Sequence, residues 1–223
     1  MDQSDGAPKR LPGGKVIRAA WKSALAFLVV ITIAFVTRGY WLPSIAWSLV
    51  CGETLAPSDA ILVENFDPAY IVFERAASLQ RARLSGRVLV PVPTAARNSA
   101  LANPVDEGIA ELMARFARLD NIETIPVREI EPYELSVAYQ IRDFLIRERL
   151  RSLLVVAPAF RSRRSSLVYR TVLRPAGIEI YCSPVFEANT PKNWTATTHG
   201  IEEVAEQFIK LQYYRLYVLP RRH

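Results

Sequence analysis

Histidine and cysteine are scarce in this chain, with two of each in 223 residues. His223 is the last residue, so a Ser–His–Asp arrangement would have to be built on His199, in the lead-in to a late helix. Cys51 and Cys182 have no cysteine or histidine beside them. That excludes the close ligand spacings of zinc sites, and no metal site or cofactor is expected. The 9 glycines form neither a G-x-G-x-x-G nor a G-x-x-x-x-G-K-[ST] run, so the common phosphate loops are missing. Lysine and arginine are absent from the whole stretch between Arg38 and Arg75.

That last absence gives meaning to what precedes it. An uncharged run, Ser23 to Thr37, lies between Lys22 and Arg38. Before it stand Lys9, Arg10, Lys15, Arg18 and Lys22, against Asp2 and Asp5. At about 1.5 Å per residue the run is roughly 22 Å long. Counted from Ala19, with the Lys22 ammonium snorkelling to the interface, it reaches about 28 Å, enough for a hydrocarbon core. Trp21 at one end and Tyr40 and Trp41 at the other suit the two interfaces. A cleaved signal would need a small-x-small site, which Phe35-Val36-Thr37-Arg38 does not supply. The reading is a single-span anchor with a cytoplasmic N-terminus and everything after about Tyr40 on the other side; a buried helix of a soluble domain is the alternative.

The expected organisation is a polar, disordered cytoplasmic tail over 1–16, a transmembrane anchor over 17–38, a membrane-proximal linker with a short helix over 39–56, and one domain over 57–223. Gly39 to Pro43 is expected to break the membrane helix. Part of the net charge of +6 belongs to the cytoplasmic flank, and a domain facing away from the cytoplasm is not expected to meet nucleic acid. An oxidising compartment permits a Cys51–Cys182 bridge, but two distant cysteines make no framework, and two unpaired buried thiols are the expectation.

Beyond the linker, short apolar runs alternate with helical periodicity. Strands are predicted at Asp59–Glu64, Arg87–Pro93, Glu123–Val127, Ser152–Ala157 and Ile178–Cys182. Asp67-Pro68 and Asn103-Pro104 read as helix starts. The second of these helices carries Ile109, Leu112, Met113 and Phe116 as its expected core stripe, and the last helix carries Ile201, Val204, Phe208 and Leu211. Near-continuous apolar strands separated by helices mean an α/β fold. The expected form is a doubly wound, mostly parallel five-stranded sheet with helices on both faces, preceded by one transmembrane helix. Ligands of such folds bind at the carboxyl ends of the strands.

Four loops fall there. The sharpest is the one after the fourth strand, where Arg161, Ser162, Arg163, Arg164 and Ser165 open a helix predicted to start at Ser162. Arginine and helix N–H groups together suit a phosphate or carboxylate. Equally, the arginines face water or pair with Glu129 or Glu131 from the neighbouring loop. A polar, acidic rim consists of Glu64, Asn65, Asp67, Glu129 and Glu134, suited to hydroxyls, acid/base work or a cation, or else to helix capping. Trp194 either stacks on a sugar or packs as a core or lid aromatic.

The order of these features resembles the YdcF-like family of envelope proteins. The resemblance rests on Asp59 to Val63, Glu129 to Ala138, Val155 to Ser165, Asn193-Trp194, and Lys210-Leu211-Gln212-Tyr213-Tyr214, and spans roughly 55–217. Arg164 matches the family arginine. The family histidine is replaced by Arg161, the glycines after strand 1 by Glu64-Asn65-Phe66-Asp67, and the Ser-Gly-Gly after strand 2 by Pro91-Val92-Pro93. Glu134 to Ala138 lacks the family's Thr and Asn. The resemblance implies a periplasmic domain on the bacterial inner membrane, a role in envelope or surface-polysaccharide biogenesis, and a phosphorylated lipid or sugar as ligand. The departures imply no efficient turnover. The alternative is a non-catalytic subunit of a membrane protein complex.

Overall fold

The computed structural model describes residues 13–65, 69–96 and 99–222, without the side chains of 13–20 and Arg222. Two compact units divide the chain, Met1–Pro43 and Ser44–His223.

In the first unit, α1 runs over Gly13–Val36 and α2 begins at Arg38, ending at Trp47 in the second. Most of the expected tail lies outside the described residues; from Gly13 onward it belongs to α1. Gly39 to Pro43 does not break the helix as expected. Those residues lie within α2, and the interruption falls at Thr37, whose hydroxyl donates to the Ile33 carbonyl at 2.7 Å. Among the described residues no single helix is long and apolar enough to cross a membrane; Trp21–Val36 and Arg38–Trp47 qualify only as a pair, bent by 67°.

The second unit is an α/β domain. Strands β1 (Ala60–Val63), β2 (Val88–Pro93), β3 (Ile122–Val127), β4 (Ser152–Pro158) and β5 (Glu179–Val185) form one sheet in the order β3-β2-β1-β4-β5. Every pairing in it is parallel. The chain winds outward from β1 through β2 to β3, then returns to β4 beside β1 and winds the other way to β5. The reversal puts the topological switch point between β1 and β4.

Alternation along the strands feeds two cores. Ala60, Leu62, Leu89, Leu153 and Val155 face one side, packed with α5 (Tyr133–Arg147) and α6 (Ala159–Leu173). Ile61, Val63, Val90, Leu154 and Val156 face the other, with α3 (Tyr70–Arg81) and α4 (Pro104–Ala117). Helix α7 (Thr198–Tyr213) packs on α6, and a π turn over Tyr214–Val218 returns Tyr214 and Val218 to the first core. Pro91 is tolerated in an interior strand because β1 pairs with β2 only at Val88 and Leu89, so its missing N–H breaks no β1 ladder bond.

Three expectations need correction. Helix α4 starts as predicted, with the Asn103 side chain accepting from Val105 N at 3.0 Å. It then buries Ala110, Ala114 and Ala117, leaving Leu112 51% and Phe116 66% exposed. Small residues let the helix backbone lie close to the sheet, and the larger stripe turns outward. In α7 likewise Val204, Gln207 and Leu211 are buried while Ile201 and Phe208 are exposed. Finally, Cys51 and Cys182 are not unpaired thiols but a disulfide. The bridge fastens the segment after α2 to β5, beside Thr54, whose N–H donates to the Cys182 carbonyl at 2.9 Å.

Candidate functional site

Strand β4 runs into α6 without a loop: β4 ends at Pro158 and the helix begins at Ala159 rather than Ser162. The residues expected on a loop therefore occupy the first two turns of a helix, and helical geometry sorts them. Arg161, Arg164 and Ser165, at i, i+3 and i+4, turn inward and are buried. Arg163 is exposed, and its N–H donates to the Leu49 carbonyl at 2.9 Å. Ser162 is buried but structural: its hydroxyl donates to the Ala159 carbonyl at 2.6 Å and accepts from Cys51 N at 2.9 Å.

The inward set meets the acids at the switch point. Glu64 follows β1 directly, and its N–H continues the ladder to the Val156 carbonyl at 3.0 Å. Its side chain is 1% exposed, with Oε2 accepting from Ser165 Oγ at 2.8 Å. Glu134, in the first turn of α5, receives Arg164 Nη2 on Oε1 at 2.5 Å. Arg164 is 3% exposed, and its guanidinium lies 5.7 Å from the centre of the Tyr214 ring. Tyr169, one turn beyond Ser165, brings a fully buried hydroxyl against the same group.

Several polar atoms of this cluster are buried with no hydrogen-bond partner among the described residues. The acceptors are Glu64 Oε1 and Glu134 Oε2, and the donors are Arg164 Nε, Arg164 Nη1 and the Tyr169 hydroxyl; Asn65 Oδ1, next along the chain from Glu64, is also buried without a partner. Each such atom costs roughly 1–3 kcal/mol when left unmade. Native interiors hold few such atoms, so their gathering at one strand end marks this as the candidate site.

The electrostatics have a definite cause. Burial raises the Glu64 carboxyl to about 7, repulsion from Glu134 adds to it, and Arg161, the Ser165 hydroxyl and Arg164 oppose it. Burial, then Glu64 and Glu134, pushes the Tyr169 phenol well above its usual value. Tyr133 rises to about 12, by burial first and then Glu129. Burial thus holds the Glu64 carboxyl well above the usual carboxylate range, toward the range suited to proton transfer at neutral pH.

Glu129 is outside this cluster. It borders a cavity of about 500 Å³ with Thr94, Asn103 and Asp106. Asp67 lies outside the described residues. Trp194 is buried in a short turn, Trp194–Ala196. A Cβ at Gly200 would come within 2.3 Å of its carbonyl oxygen, so that turn is held tightly against α7. Arg161 and Pro158 also line a second cavity, of about 400 Å³, which contains His199. Tyr169 was not named from the sequence, and Tyr214 was named only in the Lys210 to Tyr214 motif, not at the site. Tyr169 continues the 161/165 stripe by i+4 and was within reach; Tyr214 arrives from the far end of the chain. Among the described residues no group of three or more His, Cys, Asp or Glu side chains is placed to hold a metal ion. No protein-family model matches the chain, and no curated protein matches it.

Proposed function

We propose that this is a membrane-anchored, extracytoplasmic α/β protein that binds a phosphate-bearing, hydroxyl-rich ligand at the switch point between β1 and β4. The observation that carries the reading is the buried set of unmatched donors and acceptors around Arg164. Arg164 and Arg161 supply positive charge to a phosphate, and Glu64, Glu134 and Asn65 accept from hydroxyls. A phosphorylated lipid or sugar has both kinds of group. The resemblance to YdcF-like envelope proteins points the same way, through the matching arginine at Arg164.

The proposed anchor rests on the bent pair of α1 and α2, which only together are long and apolar enough; α1 carries most of the apolar length. From Ala24 to Val36 it is apolar except for Thr32, and that hydroxyl donates back to the Leu28 carbonyl at 2.8 Å. Trp41 Nε1 donates to the Ala34 carbonyl at 2.9 Å. Polar groups satisfied within the helix suit hydrocarbon. The Cys51–Cys182 disulfide favours an oxidising compartment, outside the cytoplasm. Turnover through Glu64 alone is expected to be slow, since Ser165 has no histidine base in this cluster.

A second reading, an accessory subunit of a membrane complex, is favoured by the exposed apolar side chains of α4, Val105, Leu112 and Phe116. Native mass spectrometry of the full chain in mild detergent separates the two. A phosphorylated adduct on the wild type, lost in Arg164→Lys at unchanged melting temperature, supports the ligand site. Co-purifying proteins at fixed stoichiometry without an adduct would replace it with the subunit reading.

A further inference from the structure

From Gln207 to His223 the chain has no acidic residue, against Lys210, Arg215, Arg221 and Arg222. The acids of α7, Glu202, Glu203 and Glu206, all lie before this segment. Its inward side is settled, since Leu211, Tyr214 and Val218 are buried. Its outward side is apolar. Ile209, Tyr213 and Leu216, at i, i+4 and i+7, form an exposed ridge, with Ile209 67% and Leu216 77% exposed. Tyr217 extends the ridge, its ring stacked on Tyr213 with centres 5.3 Å apart. Cations flank it on each side. Lys210 is exposed beside Ile209 and Arg215 beside Leu216, and the Arg221 guanidinium lies 3.5 Å from the centre of the Tyr217 ring. The exposed apolar side chains of α4 stand in a different field, because Asp106, Glu107 and Glu111 share their helix.

We propose that this ridge docks on a bilayer surface bearing anionic lipid headgroups. Isolated apolar side chains on a helix enter the fluid boundary between headgroups and acyl chains, which needs no matching groove. Tyrosine suits that depth, with an apolar ring and a wet hydroxyl. Lysine and arginine beside the ridge keep their stems on apolar surface and their charges at the phosphates. Each such cation near an anionic leaflet strengthens binding roughly fivefold, and no acid in the segment opposes them. Lys210 is shared with Glu206 in an exposed i, i+4 pair, which is weak and yields to a lipid phosphate at little cost. The proposal rests on the reading of α1 and α2 as an anchor. The anchor keeps the domain at the bilayer, so that a contact of a few side chains, weak between separate molecules, is made within one. On the inward side of the same turn Tyr214 lies against Arg164, so docking fixes the height of the ligand cluster above the headgroups.

The experiment is electron paramagnetic resonance on the full chain, one copy per lipid nanodisc, made of phosphatidylcholine alone or mixed with phosphatidylglycerol. A nitroxide is placed at Leu216→Cys, or at Glu202→Cys near the other end of the same helix as reference; the native cysteines are paired and do not react. In the phosphatidylglycerol discs the label at 216 should be shielded several-fold from a water-soluble nickel chelate relative to the label at 202. The shielding should weaken in phosphatidylcholine alone. It should be lost in Arg215→Glu with Arg221→Glu, exposed positions that leave the fold intact by circular dichroism. Equal nickel access at 216 and 202, or full shielding in the charge-reversed variant, would overturn the proposal while leaving the anchor standing. Dipolar broadening between labels at 216 would mean that a second copy covers the ridge, and would overturn it too. A chain that fails to co-elute with the discs would overturn the anchor and this proposal together.

Discussion

Asp59 and Glu64 bracket the same short strand, β1, and meet opposite surroundings. At the amino end, the Asp59 carboxylate accepts from Arg151 N at 2.6 Å and Ser152 N at 2.9 Å. Its own N–H donates to Ser152 Oγ at 2.9 Å. The Arg151 backbone N–H first of all, with the Ser152 hydroxyl and backbone N–H, holds this carboxyl below its usual range against some desolvation. At the carboxyl end, Glu64 is buried, has one satisfied oxygen, and rises to about 7. One end of the strand is a finished joint. The other keeps charge, burial and unmatched hydrogen-bonding groups together, a combination that stability alone does not favour.

The largest expected effect comes from breaking the carboxyl end asymmetrically. Glu134→Ala would leave Arg164 buried without its carboxylate, a change that costs about 3–5 kcal/mol when a buried pair loses one member. Urea denaturation of the full chain in mild detergent at pH 7 measures it. Removing Glu134 also removes its repulsion of Glu64, so the Glu64 carboxyl should titrate lower in this variant and recover part of the loss by turning toward Arg164. A loss below about 1 kcal/mol would mean that the Arg164–Glu134 pair is solvated rather than buried as described above.

Glu64→Gln sharpens the comparison through pH. Between about pH 4.5 and 7 the folded chain keeps a proton on Glu64 that the unfolded chain has released. Folded chains then bind more protons than unfolded ones, so stability falls as pH rises through that window. Above the folded value the loss is complete, roughly 3 kcal/mol for a shift of this size. The glutamine variant has no proton to lose. It should match the wild type near pH 4 and exceed it by that amount at pH 8, with urea midpoints taken at both. Parallel stability profiles in the two proteins would show that Glu64 titrates normally and would remove its candidacy as a near-neutral acid.

How much of this was legible in sequence follows the same division. The strands were readable because each is a short, nearly continuous apolar run, and their parallel order follows from the helices between them. Which face of α4 is buried was not readable. Leu112 and Phe116 outweigh Ala110, Ala114 and Ala117 on any hydrophobicity scale, yet close approach to the sheet selects the alanines. At the site, Arg161, Arg164, Ser165, Glu64 and Glu134 were all named from their positions at strand ends. Their roles depended on where α6 begins. A start at Ser162 makes the arginines loop residues open to an anion, whereas a start at Ala159 aims two of them inward at carboxylates and sends Arg163 to solvent. Local residue types identify neither that three-residue difference nor the arrival of Tyr214 from the chain's far end. The disulfide was permitted by the sequence but not favoured for the same reason, since Cys51 and Cys182, 131 residues apart, are brought together only by the fold.

The smallest effect belongs to the amino end of β1, and it separates a structural acid from a functional one. Asp59→Asn keeps an acceptor for one of the two backbone donors but removes the charge that strengthens both bonds. Asp59 is solvent-exposed, so water replaces part of what is lost, and the expected cost is about 1 kcal/mol. The wild-type contribution is present above the unfolded carboxyl value near 3.8 and disappears as pH falls through the lower folded value. The wild type and the asparagine variant should therefore differ at pH 7 and converge in acid, the reverse of the Glu64 pair, whose difference opens as pH rises. Ligand capture should be untouched by Asp59→Asn, because this end of the strand lies across the sheet from the switch point. If Asp59→Asn abolished the phosphorylated adduct at full stability, the two ends would be coupled, and the assignment of binding to the carboxyl edge alone would fail.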